Sequence, residues 1–418
     1  MNAGRPEPSL RSAIVIVGFS LGLHSLVSAA ISVPQILAPV AAGGLGLSAS
    51  GVGILVGLIY GSVLPMALLS GYMFSRFSER RLCQLIACFV ATSMLIGACV
   101  GVAAQHVPMP GVFAGLLLLG AIPLGFATGL VNSVGAQLLY NSVPTRHRSL
   151  AFSIKQTAVP LGATMAGVLI PVMLLSLPWQ VVVGSITLIA GATIFAILAV
   201  PLGETTEGPR AVLSFAELLS PLKIIWSTRA LRELGAVALF FNAYQMGLLT
   251  YLVTYLNLEI GISLLAAGAA FSAVQITAIV GRIGWGISVD VFGAPRRQLG
   301  LIALISAATA LAIASFSPAW PLAAIVLVGA LTGGTSVAWN GMYMAEISRQ
   351  SPPGEIGRTT GGVLACFSIG GMSGPALFAA IVAVTGTYYL GFIVLALPLI
   401  VIGVWLTGER APPADARA

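Results

Sequence analysis

Two cationic side chains, Lys155 and Arg282, stand inside long apolar stretches, while Asp290, Glu346, Glu233 and Glu259 stand only at the ends of such stretches. A cation in hydrocarbon is costly, turns toward protein or water, and marks a functional position by default. Buried cations without buried acids attract an anion. They also leave no carboxylate to carry a proton against a cationic cargo. Lys155 lies six residues past Ser149 and Arg282 eight before Asp290, which is about 9 and about 12 Å along a helix rising ~1.5 Å per residue. The midplane of a bilayer is about 15 Å deep, so both predicted positions fall within one half of it. At those depths the lysine can also snorkel its amine to the interface, and the arginine can pair with Asp290 or a backbone carbonyl.

Neutral polar residues recur in the same stretches: Gln35, Asn132, Gln137, Asn242, Tyr244, Gln245, Gln275, Trp339, Asn340 and Tyr343. Asn242 and Gln245 are three apart and share a helix face, as do Asn340 and Tyr343. Such groups either line a polar pocket or bond one helix to another. His24, among Gly22, Ser25 and Ser28, is the side chain there whose ordinary titration suits proton transfer; a hydrogen-bonded packing role is its alternative.

The elements that must hold these residues follow from composition. Of 418 residues, 58% are hydrophobic and 7% charged, against roughly a quarter charged in a soluble domain. Lipid must therefore be the solvent for most of the chain. The 49 glycines and 24 prolines fit helices in a membrane, where neighbours satisfy freed backbone groups. A span needs about 20 apolar residues, and twelve windows qualify: 12–38, 50–75, 82–104, 111–141, 149–176, 179–201, 231–257, 263–289, 298–316, 319–346, 358–384 and 386–407. Arg5 and Arg11 precede the first window as in a signal peptide, yet its apolar run outlasts a signal core, so it reads as a span.

With a cytoplasmic N-terminus, alternate loops collect 17 of the 19 basic residues, and the opposite loops hold none and only Glu259 as a charge. This is the positive-inside distribution. It accounts for the net charge of +7 without nucleic acid, and predicts that both termini are cytoplasmic. The long polar segment 202–230 separates a bundle at 1–201 from one at 231–418. Phe215, Leu218, Leu219, Leu222 and Trp226 recur there at helical spacing, which predicts a short interfacial helix or a linker with an apolar face. Asn132 precedes Pro144, and Asn340 precedes Pro352, by twelve residues, a weak echo between the halves.

The loop after span two reads Gly71-Tyr-Met-Phe-Ser75-Arg76-Phe-Ser-Glu79-Arg80-Arg81, and span eight closes with Gly281-Arg282-Ile-Gly-Trp-Gly286-Ile-Ser-Val-Asp290, followed by Arg296 and Arg297. Both resemble the signature loop of the major facilitator superfamily, repeated once per half. In this pattern Gly71 and Gly286 are expected at close helix approaches, and Asp290 accepts from helix ends and arginines. Ser75 stands where the first copy usually has its acid. The segment Ser153-Ile154-Lys155-Gln156-Thr157-Ala158-Val159-Pro160-Leu161-Gly162 looks like one seen near the cyanate-transporter-like group. Pro160, Gly162, Gly167 and Pro171 read as packing and kink residues or as hinges, and Gly370-Gly371 with Gly374-Pro375 as another flexible element.

The resemblance implies an all-α fold of twelve transmembrane helices in two pseudo-symmetric six-helix bundles. It further implies that spans one, four, seven and ten line the cavity, and that spans five and eight face each other across the halves. Relatives carrying monocarboxylates or oxalate place a span-eight arginine on the substrate carboxylate, which Arg282 matches approximately in position. The expectation is a secondary transporter for a small organic anion, coupled to protons or counter-substrate. Arg282 is the anchor, Lys155 a second or gating cation, and the neutral polar residues set the pocket. Export of hydrophobic compounds and a non-transporting receptor are the alternatives. His24, His106 and His147 make no metal spacing, Cys83, Cys88, Cys99 and Cys366 form no paired motif, and no phosphate-binding loop occurs. No cofactor, metal or obligatory protein partner is expected beyond membrane lipid and substrate, and no enzyme activity.

Overall fold

The computed structural model describes residues 10–144, 147–202, 223–352 and 356–408. It divides into two compact units, Met1–Leu218 and Leu219–Ala418. Among the described residues every regular element is helical, because in hydrocarbon a chain without a sheet partner can pair its N–H and C=O groups only within a helix.

The first unit holds α1 (Leu10–Gly44), α2 (Val52–Arg76), α3 (Glu79–Ala103), α4 (Pro110–Ser142), α5 (Arg148–Gln156), α6 (Ala158–Met173) and α7 (Trp179–Ala196). The second holds α8 (Arg229–Thr254), which runs into a π-helical turn at Tyr255–Glu259, then α9 (Leu264–Phe292) and α10 (Pro295–Ala314). It continues with α11 (Leu322–Thr332), a second π turn at Gly333–Val337, α12 (Asn340–Gln350), α13 (Ile356–Thr385) and α14 (Tyr389–Gly408). Among the described residues, twelve helical stretches are long and apolar enough to cross a membrane.

Polar punctuation sets the helix starts. Ser78, Thr228 and Ser263 accept from the N–H three residues on at 3.4, 3.2 and 3.2 Å, capping α3, α8 and α9 as short hydroxyl side chains do. Pro110 and Pro295 open α4 and α10, where the missing N–H costs nothing. The turn between α9 and α10 uses Gly293 and Ala294 at φ 63° and 52°, with Gln298 donating back to the carbonyls of Ser288 and Gly293 at 3.1 and 2.7 Å.

Pairing inside the two units follows one scheme. The first span packs on the fifth, the second on the fourth and the third on the sixth; correspondingly, α8 packs on α13, α9 on α11 to α12, and α10 on α14. A close crossing repeats too. A Cβ at Gly162 would lie 2.1 Å from the Ser25 carbonyl oxygen, and one at Gly370 would lie 2.1 Å from that of Leu239. Gly374 meets Ala243 in the same way, at 2.0 Å. Gly162, Gly370 and Gly374 are thus backbone-contact positions. Gly286, expected at a close approach, has nothing within 4 Å of its would-be Cβ. Gly281 takes that place, with a Cβ there falling 2.5 Å from the Gly334 oxygen.

Two spans expected as single helices are interrupted. The fifth breaks at Thr157, between α5 and α6, because Pro160 has no N–H for the Gln156 carbonyl and its ring crowds that turn. Ser25 and Ser28 of α1 donate to the Ala158 and Val159 carbonyls at 3.2 and 2.6 Å just beyond the break. The tenth breaks across Gly333–Val337.

Candidate functional site

Lys155 is the next-to-last residue of α5 and is 3% exposed. Its Nζ donates to Asn132 Oδ1 of α4 at 3.2 Å, and among the described residues no carboxylate pairs with it. An ammonium has three donors and no acceptor, so one neutral amide leaves it underserved. Gly135, three residues after Asn132, leaves room for the stem: a Cβ there would stand 2.7 Å from Lys155 Cε and 2.9 Å from Ser20 Oγ of α1. Ser20 and Gly135 escaped the sequence reading. Their signal is the spacing of Ser20 and His24, which share a face of α1 at i, i+4 and are both 3% exposed. Asn132 itself is exposed, and Gln137 is half-buried. In Gly135→Ala the methyl must push the lysine stem aside, and we expect a loss of about tenfold in ligand affinity with the fold intact, measured by thermal-shift titration.

Arg282 of α9 donates from Nη2 to the Val337 carbonyl at 3.4 Å, and Trp285, one turn on, donates from Nε1 to the Gly334 carbonyl at 2.8 Å. Both carbonyls belong to the π turn of the tenth span. An i to i+5 turn disturbs the regular backbone ladder, and side chains of α9 supply donors at that point. The backbones touch there: a Cβ at Gly333 would lie 2.0 Å from the Val274 oxygen. Trp285 was missed because an indole in an apolar span reads as packing. Trp285→Phe should destabilise the protein by about 1 kcal/mol by stranding the Gly334 carbonyl, seen as a lowered melting temperature in detergent.

The polar residues of α8 and the tenth span form one buried network. Gln245 Oε1 accepts from Trp339 Nε1 at 2.8 Å, and Tyr343 donates to the Leu234 carbonyl at 2.7 Å. The Trp339 ring lies 4.9 Å from Phe241 and 5.0 Å from Tyr343. Asn242 donates to the Phe367 carbonyl of α13 at 2.6 Å. Asn242, Tyr244, Gln245, Gln275, Trp339 and Tyr343 are all buried and Asn340 half-buried, so the structure ties Asn242, Gln245, Trp339 and Tyr343 to protein partners. Gln35 of α1 is likewise buried.

The signature loops are braced locally. Ser75 donates to the Tyr72 carbonyl at 2.8 Å, and the Arg76 guanidinium stands 5.3 Å from the Tyr72 ring centroid. Arg80 reaches the Val200 carbonyl at 3.4 Å, the Arg81 N–H caps onto Ser78, and Asn141 donates to Glu79 at 2.7 Å. In the second copy Arg296 pairs with Glu233, which also takes Arg229 at 2.7 Å. Glu233 of α8 thus serves both arginines. Arg297 is exposed. The Gly71 and Asp290 side positions lie outside the described residues, as do 203–222 of the expected linker helix. Trp226, just beyond, is 69% exposed.

Two like-paired units of membrane-length helices, with a cation set against an interrupted helix in each, define a polytopic helical transporter. The chain belongs to the major facilitator superfamily, whose sequence profile matches residues 17–351. An uncharacterised transporter of that type from Mycobacterium tuberculosis (strain CDC 1551 / Oshkosh) is 28% identical over 381 residues, covering 89% of this chain and 79% of the relative. A counterpart from strain ATCC 25618 / H37Rv is 27% identical over the same length. The fold is similar to that of the nucleoside transporter NupG, with TM-score 0.74, 14% identity, and 94% and 98% of the two chains covered. It is also similar to that of a D-xylose-proton symporter, with TM-score 0.72, 17% identity, and 96% and 98% covered.

Proposed function

We propose that this transporter moves a small organic anion, a carboxylate by preference, by alternating access coupled to protons or counter-substrate. The observation that carries the reading is Lys155: a 3% exposed ammonium whose partner is a single neutral amide. An anion delivered to it would form charge-assisted hydrogen bonds in a low-dielectric site, which are stronger than neutral ones. A cationic cargo would meet repulsion there.

Arg282 is the second cation of the reading. Its bond to Val337 gives the guanidinium a fixed orientation, and an anion accepted beside that carbonyl would bear on the tenth span through the π turn. His24, one turn from Ser20 on α1, is the proton carrier we assign. The chain is proposed to sit in the bacterial inner membrane with its basic loops and termini cytoplasmic. The test is uptake of a radiolabelled carboxylate panel into proteoliposomes. Arg282→Ala is expected to lose transport of the best substrate, and full transport across the panel would remove Arg282 from the site.

A further inference from the structure

A cavity of about 350 Å³ lies inside the first unit, in the half of the bundle away from the arginine-bearing loops. Its walls come from the end of α1, the start of α2, the later part of α3, the start of α4, and Trp179 and Val183 of α7. Small residues create the space: Ala38, Ala41 and Ala42 on α1, Gly97 on α3, and Gly120 and Ala121 on α4. No wall residue carries a charge. Ser48 and Ser93 supply the side-chain hydroxyls, and that of Ser48 is engaged with Ser50 at 2.6 Å.

Sites for polar or drug-like solutes carry a few convergent polar groups that fix orientation, and this cavity has almost none. An apolar void stays dry, and left empty it forfeits dispersion contacts around its whole wall. Hydrocarbon is the occupant such a lining favours. Three wall residues are exposed, Ser48 and Gly51 at the α1–α2 connection and Ile54 of α2, the last at 55%, and Val40, Leu95 and Leu116, each next in sequence to a wall residue, are exposed hydrocarbon as well. On a membrane-spanning helix such a flank meets acyl chains, the hydrocarbon in greatest supply there. We infer that the cavity binds one acyl chain of a membrane phospholipid, inserted beside Ile54, at a site separate from Lys155.

The test uses the full-length protein reconstituted in phosphatidylcholine vesicles with a small fraction of a phospholipid bearing a photoactivatable diazirine on its acyl chain. After irradiation, cross-linked residues are mapped by peptide mass spectrometry. Met94 and Leu124, wall residues 5% and 1% exposed, are expected to be labelled alongside the outward Leu188 and Phe195, which are 75% and 74% exposed. Filling the cavity with Ala41→Leu and Ala121→Leu should abolish labelling of Met94 and Leu124 and spare Leu188 and Phe195. In the unmodified protein, delipidation in detergent before irradiation should leave Met94 and Leu124 labelled by retained probe after Leu188 and Phe195 have lost theirs, which keeps the question open to an answer if the filled variant misfolds. Labelling confined to outward residues, or wall labelling untouched by filling or lost as early as the outward labelling, would overturn the assignment.

Discussion

Lys155→Met should lose carboxylate transport and gain thermal stability at the same time. The ammonium is 3% exposed with one amide partner, so without bound anion it is a desolvated charge that the fold tolerates. Replacing a buried charge by an apolar side chain of similar volume is often stabilising. A gain of about 1 kcal/mol would raise the melting temperature of a unit this size by roughly 2–4 °C. The same substitution removes the cation an anion would pair with, and losing one member of a buried pair costs about 3–5 kcal/mol. Transport at subsaturating substrate should then fall by ~100-fold or more. Melting in detergent and counterflow in proteoliposomes read the two effects separately. Lowered stability together with lost transport would mean that Lys155 is structural, and unchanged transport would end the anion reading at this position.

Gly162→Ala and Gly370→Ala should each destabilise strongly, and by similar amounts. In both, the new methyl would stand 2.1 Å from a carbonyl oxygen of the facing helix, that of Ser25 or of Leu239. The obstacle is backbone, so no rotamer change relieves it. Overpacking costs about 1–3 kcal/mol, and separation of two helix backbones belongs at the upper end, with a melting temperature lower by roughly 5 °C or more. Gly286→Ala is the control: its Cβ meets nothing within 4 Å, so melting should hold or rise slightly from better helix propensity. Equal sensitivity at Gly286 would mean that the crossings at Gly162 and Gly370 are not what sets the helix separation.

The spans were legible because hydrocarbon thickness and the near-absence of charge constrain them directly. Lys155 was legible for the same reason, since a charge in lipid announces itself in composition. What surrounds it was less so. Ser20 and Gly135 are ordinary residues of apolar helices, and only the crossing of α1, α4 and α5 makes them neighbours of the amine. The π turn at Gly333–Val337 contains no proline, and nothing in Gly-Gly-Thr-Ser-Val taken alone requires an extra residue in the turn. What meets it lies on another helix, the donors of Arg282 and Trp285 and the backbone contacts at Gly281 and Gly333. Gly286 shows the converse: motif spacing suggested a crossing that Gly281, one and a half turns earlier, provides.

The matched pairing of the two units carries a consequence for how such a protein changes over time. Six spans return the chain to the side it started from, so a copied half enters the bilayer in the same orientation and inherits a complete set of helix partners. Tight-crossing glycines hold corresponding places in the two units, at Gly162 and Gly370. The polar chemistry differs: one unit interrupts its fifth span beside a lysine, while the other interrupts the tenth beside an arginine and a tryptophan. Duplicated frames with divergent linings allow one half to alter what it recognises while the other holds the architecture steady, so new cargo is open to such a lineage without a new fold.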